Sequence, residues 1–592
     1  MASEYWNRFW KERASRRRFL GVAGVTGAGA AGLALVGCGG SSSSKTPTAG
    51  LATNTAAANA TATPNDPFAG ATKGGNFRTV QQVDPPTIDP YGNASFLTKG
   101  FSAFSYSRLF KYNAGPGVKV ADLKPVPDIA ESYTASADAL TWTIKLRQGA
   151  KFHNIAPVNG RQVDSDDVKY SWGRATDAKN TNASQLKFVD SVAYPDAQTV
   201  VFTLKSPNAA FLDVLSDANL LWIMPKEAAG GFDPTTKMIG SGPWIFDSYT
   251  PSQSIKWKKN PEWYMSGFPL FDTCETDIIP AYANQLAQFQ AGSLDAFGPN
   301  ADDLVSLKSQ VKDVQLLGVI SQLMSFFYFD ADPNSPWTKD NRVRQAVSMS
   351  LDRDGLTDLG YEVKKLQAAG LDVQGPWNNI IPAGMVKFWD DPQGPNAGAG
   401  GKNFKYNVAD AKAALSAAGY PDGFEAKFQY PASVYGPIFE SIAQASIQFL
   451  QAIGIKVTTE TQDYASKYIT QTFAGNFSGI AFGYETPFPE GGSYPTRFFT
   501  DNPLNHGHIK DPKLADLAVA QQKELDPQKR KDLFTQIQQV HAEQMWYVPN
   551  QAGAGTGWTA FQPNIQNATT IRTVPGSYPI GTETYPFFWR KA

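Results

Sequence analysis

Two stretches of the chain alternate apolar and polar residues at period two: Leu140-Thr-Trp-Thr-Ile-Lys-Leu146 and Thr199-Val-Val-Phe-Thr-Leu-Lys205. That is the pattern of strands with one face in a core. Other stretches carry the period of amphipathic helices. Ser165-Asp-Asp-Val-Lys-Tyr-Ser-Trp172 opens with Asp164 or Ser165 as cap and acids in its first turn, and residues 281–292 predict a helix ended by Gly292. Val343, Ala346, Val347, Ser350 and Leu351 fall on one helical face. Asn407 caps a helix over 410–418 that stops at Gly419-Tyr-Pro. Residues 438–453 predict a long amphipathic helix followed by a strand from Gly454, and Asp526 opens a helix to Gln539 with Leu533, Ile537 and Val540 on its apolar side. Helices and strands mingle without a tandem repeat, so the class is mixed α/β, with a sheet in each of at least two lobes.

The amino-terminal pattern differs. Residues 21–37 are apolar but carry six glycines and are short for a bilayer span. They follow Ser15-Arg-Arg-Arg-Phe-Leu20 and end at Leu35-Val-Gly-Cys38. A basic region, a weakly apolar run and small residues, in that order, make an export signal. The first motif, with Arg16 and Arg17, resembles a twin-arginine signal, whose pathway carries folded proteins. The second resembles the lipobox of bacterial lipoproteins, where the signal is cut before the cysteine and that cysteine is acylated. The two resemblances imply a signal over 1–37, a lipidated Cys38, and a chain outside the cytoplasm, in the periplasm or at the cell surface. Residues 39–73 are mostly Ser, Thr, Ala, Asn and Pro. Such a segment buries too little apolar area to offset chain entropy and predicts a disordered tether, with a reach on the order of 30 Å.

Composition narrows the functional classes. The 592 residues allow two to four domains. Aromatic residues make up 12% of the chain, enough for large cores and aromatic-lined clefts. A formal net charge of −1 gives no basic footprint for nucleic acid. Besides Cys38 the only cysteine is Cys274, so no intramolecular disulfide is expected, and Cys274 reads as an inert buried residue. The chain has four histidines, His153, His506, His508 and His541. Asn505-His-Gly-His508 offers two metal ligands but lacks the partners of a metal site. A Gly-x-Ser-x-Gly turn and a phosphate-cradling glycine loop are both missing. These gaps weigh against a lipid-anchored hydrolase and against ATP hydrolysis, and no cofactor or metal is expected.

The body resembles the family 5 extracellular solute-binding proteins, the dipeptide/oligopeptide-binding type that serves ABC importers. The resemblance is carried by Pro127-Asp-Ile-Ala-Glu-Ser-Tyr133, Leu140 to His153, Gly240-Ser-Gly-Pro-Trp244, Asn260-Pro-Glu-Trp-Tyr264, Asn341-Arg-Val-Arg-Gln-Ala-Val347 with Leu351-Asp-Arg353, Ala411 to Gly423, and Ile453-Gly-Ile-Lys-Val457. It implies a two-lobed periplasmic-binding-protein-like fold of type II (cluster C). Lobe I would be discontinuous, over 74–111, 240–328 and 545–592, with an inserted subdomain at 112–239, and lobe II would span 329–544. It further implies a monomer that closes on a solute, a peptide above all, and hands it to membrane permease subunits. An oligosaccharide or metal chelate is the alternative. Most of these residues read as scaffold: Gly240 and Gly242 for a tight turn, Arg342 and Arg344 for structural ion pairs, His153 for a hydrogen-bonded turn.

The segment Ile480-Ala-Phe-Gly-Tyr-Glu-Thr-Pro-Phe-Pro-Glu490 matches the strand end where peptide-binding relatives place an aromatic residue and an aspartate that takes the ligand's ammonium group. Here Tyr484 or Glu485 falls at the aspartate, depending on a one-residue shift. Phe482, Tyr484 and Phe488 are candidates for an apolar wall. Trp377, in Gly375-Pro-Trp-Asn-Asn, and Asp84, in the proline-rich loop 83–91, are the remaining candidate ligand contacts.

Overall fold

The computed structural model describes residues 67–591, apart from 94, 117, 119–121, 181, 433, 486, 487, 489, 503, 504 and 573–578. The Ser15–Leu20 motif, Cys38 and most of the expected tether lie outside the described residues. Among the described residues no helix is long and apolar enough to cross a membrane.

Lobe I is built on two sheets. In the first, Asn76–Gln81 runs parallel to Thr273–Ile278, which is followed by the antiparallel pair Ser254–Lys259 and Trp244–Thr250. In the second, Thr556–Phe561 lies between Ala296–Phe297 and Gln315–Ile320. Between the early and middle pieces of this lobe a four-stranded antiparallel sheet is inserted, ordered Ala130–Ala135, Thr141–Leu146, Thr199–Leu204, Val189–Asp196. Its two central strands are the stretches with period-two alternation. One apolar core joins the first sheet to the inserted one through Trp222, Trp244, Trp257 and Phe202, and the Trp257 ring stacks on Phe104 at 4.1 Å and 10°.

The turn Gly240-Ser-Gly242 locks this core. His153 is buried and clamps the turn from one side, with Nε2 3.1 Å from the Gly242 carbonyl and Nδ1 accepting from the Gly240 N–H at 3.3 Å. The Ser105 backbone closes the other side: a Cβ on Gly240 would sit 1.9 Å from the Ser105 carbonyl oxygen. Glycine is needed here for close approach of two backbones.

Lobe II holds one five-stranded sheet. Its strands are β1 (Met324–Phe329), β2 (Phe424–Pro431), β3 (Ile455–Gln462), β4 (Ile480–Glu485) and β5 (Val548–Asn550), in the spatial order β3-β2-β4-β1-β5. β2 is parallel to β3 and β4, while β1 runs antiparallel to β4 and β5. Helices cover both faces. On one, Phe439 of helix α1 (Gly436–Ala452) stacks on Phe482 at 4.5 Å and 8°. On the other, Phe498 of helix α2 (Ser493–Phe499) meets Phe326 edge-on at 5.5 Å, with helix α3 (Pro527–Gln544) behind it. All six residues of β1 are buried, as a central strand sandwiched by helices requires.

Helix boundaries follow the caps that the sequence announces. Asp164 forms a reciprocal capping box with Asp167. Asn407 accepts from the N–H groups of Ala409 and Asp410, and Asp526 from those of Gln528 and Lys529. Helix α3 runs five residues beyond the expected Gln539, because Gln538 and His541 are buried and keep its last turns packed. Arg344 is buried, donating through Nε to the Gln544 carbonyl at 3.0 Å and lying 3.9 Å from the Trp546 ring; Arg342 pairs with Asp340 at 2.6 Å. Cys274 is fully buried, and burial pushes its thiol well above the ordinary range.

Two glycine substitutions should separate these effects. Gly240→Ala forces backbones apart and should cost about 1–3 kcal/mol in denaturant unfolding. Gly173→Ala, in the exposed middle of helix Ser165–Ala175 with nothing near its added methyl, should stabilise by about 0.5–1 kcal/mol. Equal effects from the two would contradict the packing described.

Candidate ligand-binding cleft

The topology sets where a solute can lie. The chain enters lobe II at Met324, which pairs with Glu485, and leaves it at Asn550, which pairs with Ser325. Both crossings therefore sit at the carboxyl ends of β2–β5, and that edge of the sheet faces lobe I. In open α/β sheets ligands bind in the crevice outside the carboxyl ends of the strands. The crossings themselves are tight. Gly553 donates its N–H to the Tyr361 hydroxyl at 2.5 Å, and the Tyr361 ring lies so close to Gly555 that a Cβ there would fall 2.1 Å from Cγ.

A cavity of about 270 Å³ lies on the seam between the lobes. Tyr112, Leu123 and Asp213 line it from the insertion of lobe I, Gln322 from the crossing, and Lys387 and Arg530 from lobe II. The lobes touch beside it: the Lys387 ammonium donates to the Leu123 carbonyl, and the Ala209 N–H to the Gln522 carbonyl at 2.7 Å. Asp213 accepts from the Tyr112 hydroxyl at 2.7 Å. Arg530 donates to Glu490 at 2.5 Å and lies over the rings of Phe388 and Phe534, 5.3 and 5.5 Å from their centres. Burial and then the Glu490 carboxylate push the Asp213 carboxyl up to about 6, against the pull of Tyr112, Arg530 and Lys387. The seam thus carries both signs of charge on facing lobes, where low dielectric strengthens each contact.

The expected contacts are placed differently from one another. Tyr484 is half-buried at the end of β4, its ring edge-on to Tyr435 at 4.7 Å. Glu485, expected to face the solute, is 1% exposed and turned into lobe II. Its Oε1 lies 3.2 Å from Arg497 Nη1 and its Oε2 3.0 Å from His506 Nε2. The other His506 nitrogen meets the Phe473 carbonyl, so both ring nitrogens of this histidine are occupied. Alternation along β4 explains the difference, since residues 484 and 485 point to opposite faces.

Phe482 and Phe488 are fully buried and form core rather than a cleft wall. Phe482 packs on Phe327 and Phe439, and Phe488 lies 4.8 Å beneath the Arg497 guanidinium. Trp377 is buried and donates through Nε1 to Asp354 at 2.9 Å. Asp84 stays within lobe I: burial opposes its ionisation, but the Ser252 N–H and the Tyr249 and Ser252 hydroxyls hold its carboxyl below the ordinary range. Among the described residues no group of three His, Cys, Asp or Glu side chains is placed to hold a metal ion.

Sequence reasoning passed over Asp213, Lys387 and Arg530. Asp213 had a signal, since it stands alone among Phe211, Leu212, Val214 and Leu215 in a short apolar helix. Lys387 and Arg530 sit in ordinary amphipathic surroundings and have none.

With this geometry in place, residues 124–506, more than half of the chain, match the model of the bacterial extracellular solute-binding proteins, family 5, middle region. The chain belongs to that family of solute-binding receptors. Heme-binding protein A of Haemophilus influenzae is 28% identical over 404 residues, covering 64% of this chain and 68% of the relative. A glutathione-binding protein of Salmonella paratyphi A is 26% identical over 389 residues, covering 64% and 67%. The fold matches the periplasmic binding protein DppA from Helicobacter pylori, solved with the peptide STSA, at a TM-score of 0.71 and 20% identity, over 88% of this chain and 99% of that one.

Two measurements test the electrostatics. Raised from 3.8 to about 6, Asp213 binds its proton more tightly in the folded protein, so its ionisation costs stability as pH rises through that window. Asp213→Asn should therefore melt higher than the parent at pH 7.5, and the gap should close toward pH 4; a gap independent of pH would contradict this. Glu485→Ala leaves Arg497 as an uncompensated buried charge and should cost about 3–5 kcal/mol, and adding Arg497→Met should recover part of that loss. Additive losses would show that the pair is not coupled.

Proposed function

We propose that this protein is the solute receptor of an ABC importer, capturing a peptide between two lobes that close about the crossings at 321–323 and 551–555. The observation that carries the reading is the seam itself, where the Asp213 carboxylate from one lobe and the Lys387 and Arg530 cations from the other line one cavity beside the carboxyl ends of the lobe II strands. A zwitterionic solute bridging those charges makes contacts to both lobes only when they are closed, and so shifts the population toward closure. The family's receptor role and the peptide in the Helicobacter structure support the choice of solute.

In this reading the protein is not an enzyme, acts as a monomer, and is held outside the cytoplasm by a lipid on Cys38, with permease subunits as its membrane partners. The lobes are taken with the expected borders, except that β1 and β5, expected in lobe I, pair into the lobe II sheet and are counted with it. Tyr484 is the expected contact best placed to meet the solute. Asp84 shapes the facing loop, while Glu485, Phe482, Phe488 and Trp377 support the cleft from behind. A non-peptide solute is the second reading. It is favoured by the pairing of Glu485 with Arg497 and His506, which leaves that carboxylate engaged within its own lobe.

Small-angle scattering tests the mechanism. A panel of di- to pentapeptides should include members that reduce the radius of gyration without being consumed, as mass spectrometry of the mixture would show. Contraction with sugars or chelates but no peptide would move the assignment to the second reading, and turnover of any panel member would refute the receptor role.

A further inference from the structure

Three parallel strands of lobe II end side by side, and a tyrosine follows or terminates each. Pro431 at the end of β2 pairs with Gln462 at the end of β3, and β4 ends one strand away on the other side of β2. Beyond β2 the chain reaches Tyr435, the residue preceding α1. Beyond β3 it turns into Tyr464–Thr472, and β4 carries Tyr484 as its penultimate residue. The three rings meet: Tyr435 is 4.7 Å from Tyr484 at 64° and 5.7 Å from Tyr464 at 72°. Phe439 closes the base, 5.0 Å from both Tyr435 and Tyr484. Each of the three tyrosines is only half-buried, and Val434 beside them is 48% exposed.

Two further observations set this cluster apart from ordinary core. Tyr464–Thr472 is a π-helix, closed by the Tyr468 N–H on the Asp463 carbonyl at 2.9 Å and the Phe473 N–H on the Tyr468 carbonyl at 2.8 Å. Such wide turns are rare and concentrate at functional sites. The turn also presses Tyr468 onto β4, its hydroxyl 3.1 Å from the Phe482 carbonyl, where a Cβ on Gly483 would fall 1.8 Å from that oxygen. The π-turn and the three strand ends leave the three rings partly exposed at the edge of the sheet that faces lobe I.

We propose that Tyr435, Tyr464 and Tyr484 form an aromatic subsite, supplied wholly by lobe II, that receives a flat apolar group of the captured solute, an aromatic side chain or ring. This rests on the assignment of the cleft as the solute site. Edge-to-face and offset contacts with a fourth ring suit the tilted arrangement of the three, and a hydrogen bond between the Tyr435 and Tyr464 side chains holds two of the rings in place.

Calorimetric titration with Ala-Phe-Ala and Ala-Ala-Ala, and ligand-observed NMR with free indole, test the subsite. The parent protein should bind Ala-Phe-Ala about fivefold to tenfold more tightly than Ala-Ala-Ala. Tyr484→Ala and Tyr435→Ala should erase that preference, while Tyr484→Phe keeps it. Tyr484→Leu, which preserves apolar bulk without a ring, serves as the folded control if the alanine variant does not fold, and it too should lose the preference. If no peptide binds but indole does, and the Tyr484 variants abolish its binding, the subsite stands and the peptide assignment falls. Equal affinity for the two peptides, or no binding of any of the three probes, overturns the subsite.

Discussion

Because β1 enters lobe II opposite the end of β4, and β5 leaves it beside the start of β1, the chain crosses between lobes at one edge of a single sheet. This placement governs the rest. It turns the carboxyl ends of the parallel strands toward lobe I, where loops are free to vary while the strands behind them stay packed. It also makes the crossings short, so that Tyr361 packed against Gly553 and Gly555 sits at the pivot of any lobe movement. A receptor of this kind needs a narrow connection between its lobes, and the sheet register brings both crossings to one edge.

The electrostatics of the two lobes follow from burial. Within lobe II, Glu485 is matched by Arg497 and His506 under nearly complete exclusion of water. On the seam, Asp213 faces Glu490 with Arg530 and Lys387 near, and burial raises its carboxyl. The first arrangement is closed and charge-compensated. The second lies on a cavity and retains groups that a polar solute can engage. Adjacent residues of β4 divide the same way, Tyr484 toward the cluster at the strand ends and Glu485 into the lobe interior.

Much of the scaffold was legible in the chain. Asp164, Asn407 and Asp526 announce their helices because a side-chain oxygen on the first free N–H groups is a local interaction. Thr141–Leu146 and Thr199–Leu204 show their alternation because one face of that sheet is wet. The ligand contacts were less legible. Phe482 and Phe488 are aromatic residues near a strand end, which fits either a wall or a core, and only the neighbours Phe327, Phe439 and Arg497 decide for core. His153 read as a turn residue and is one, but its burial against Gly240 and Gly242 comes from a segment 87 residues away.

The sequence by itself determined the class of fold, the family, most helix starts and the absence of basic, metal-binding and nucleophilic motifs, all of which rest on local spacing or composition. The tertiary structure decided that Tyr484 and Glu485 lie on opposite faces of β4, that Glu485 is paired inside lobe II, and that Tyr435, Tyr464 and Tyr484 converge. Those outcomes depend on pairing between strands far apart in the chain, and a one-residue change in register would exchange the residues that meet α1 with those that meet α2.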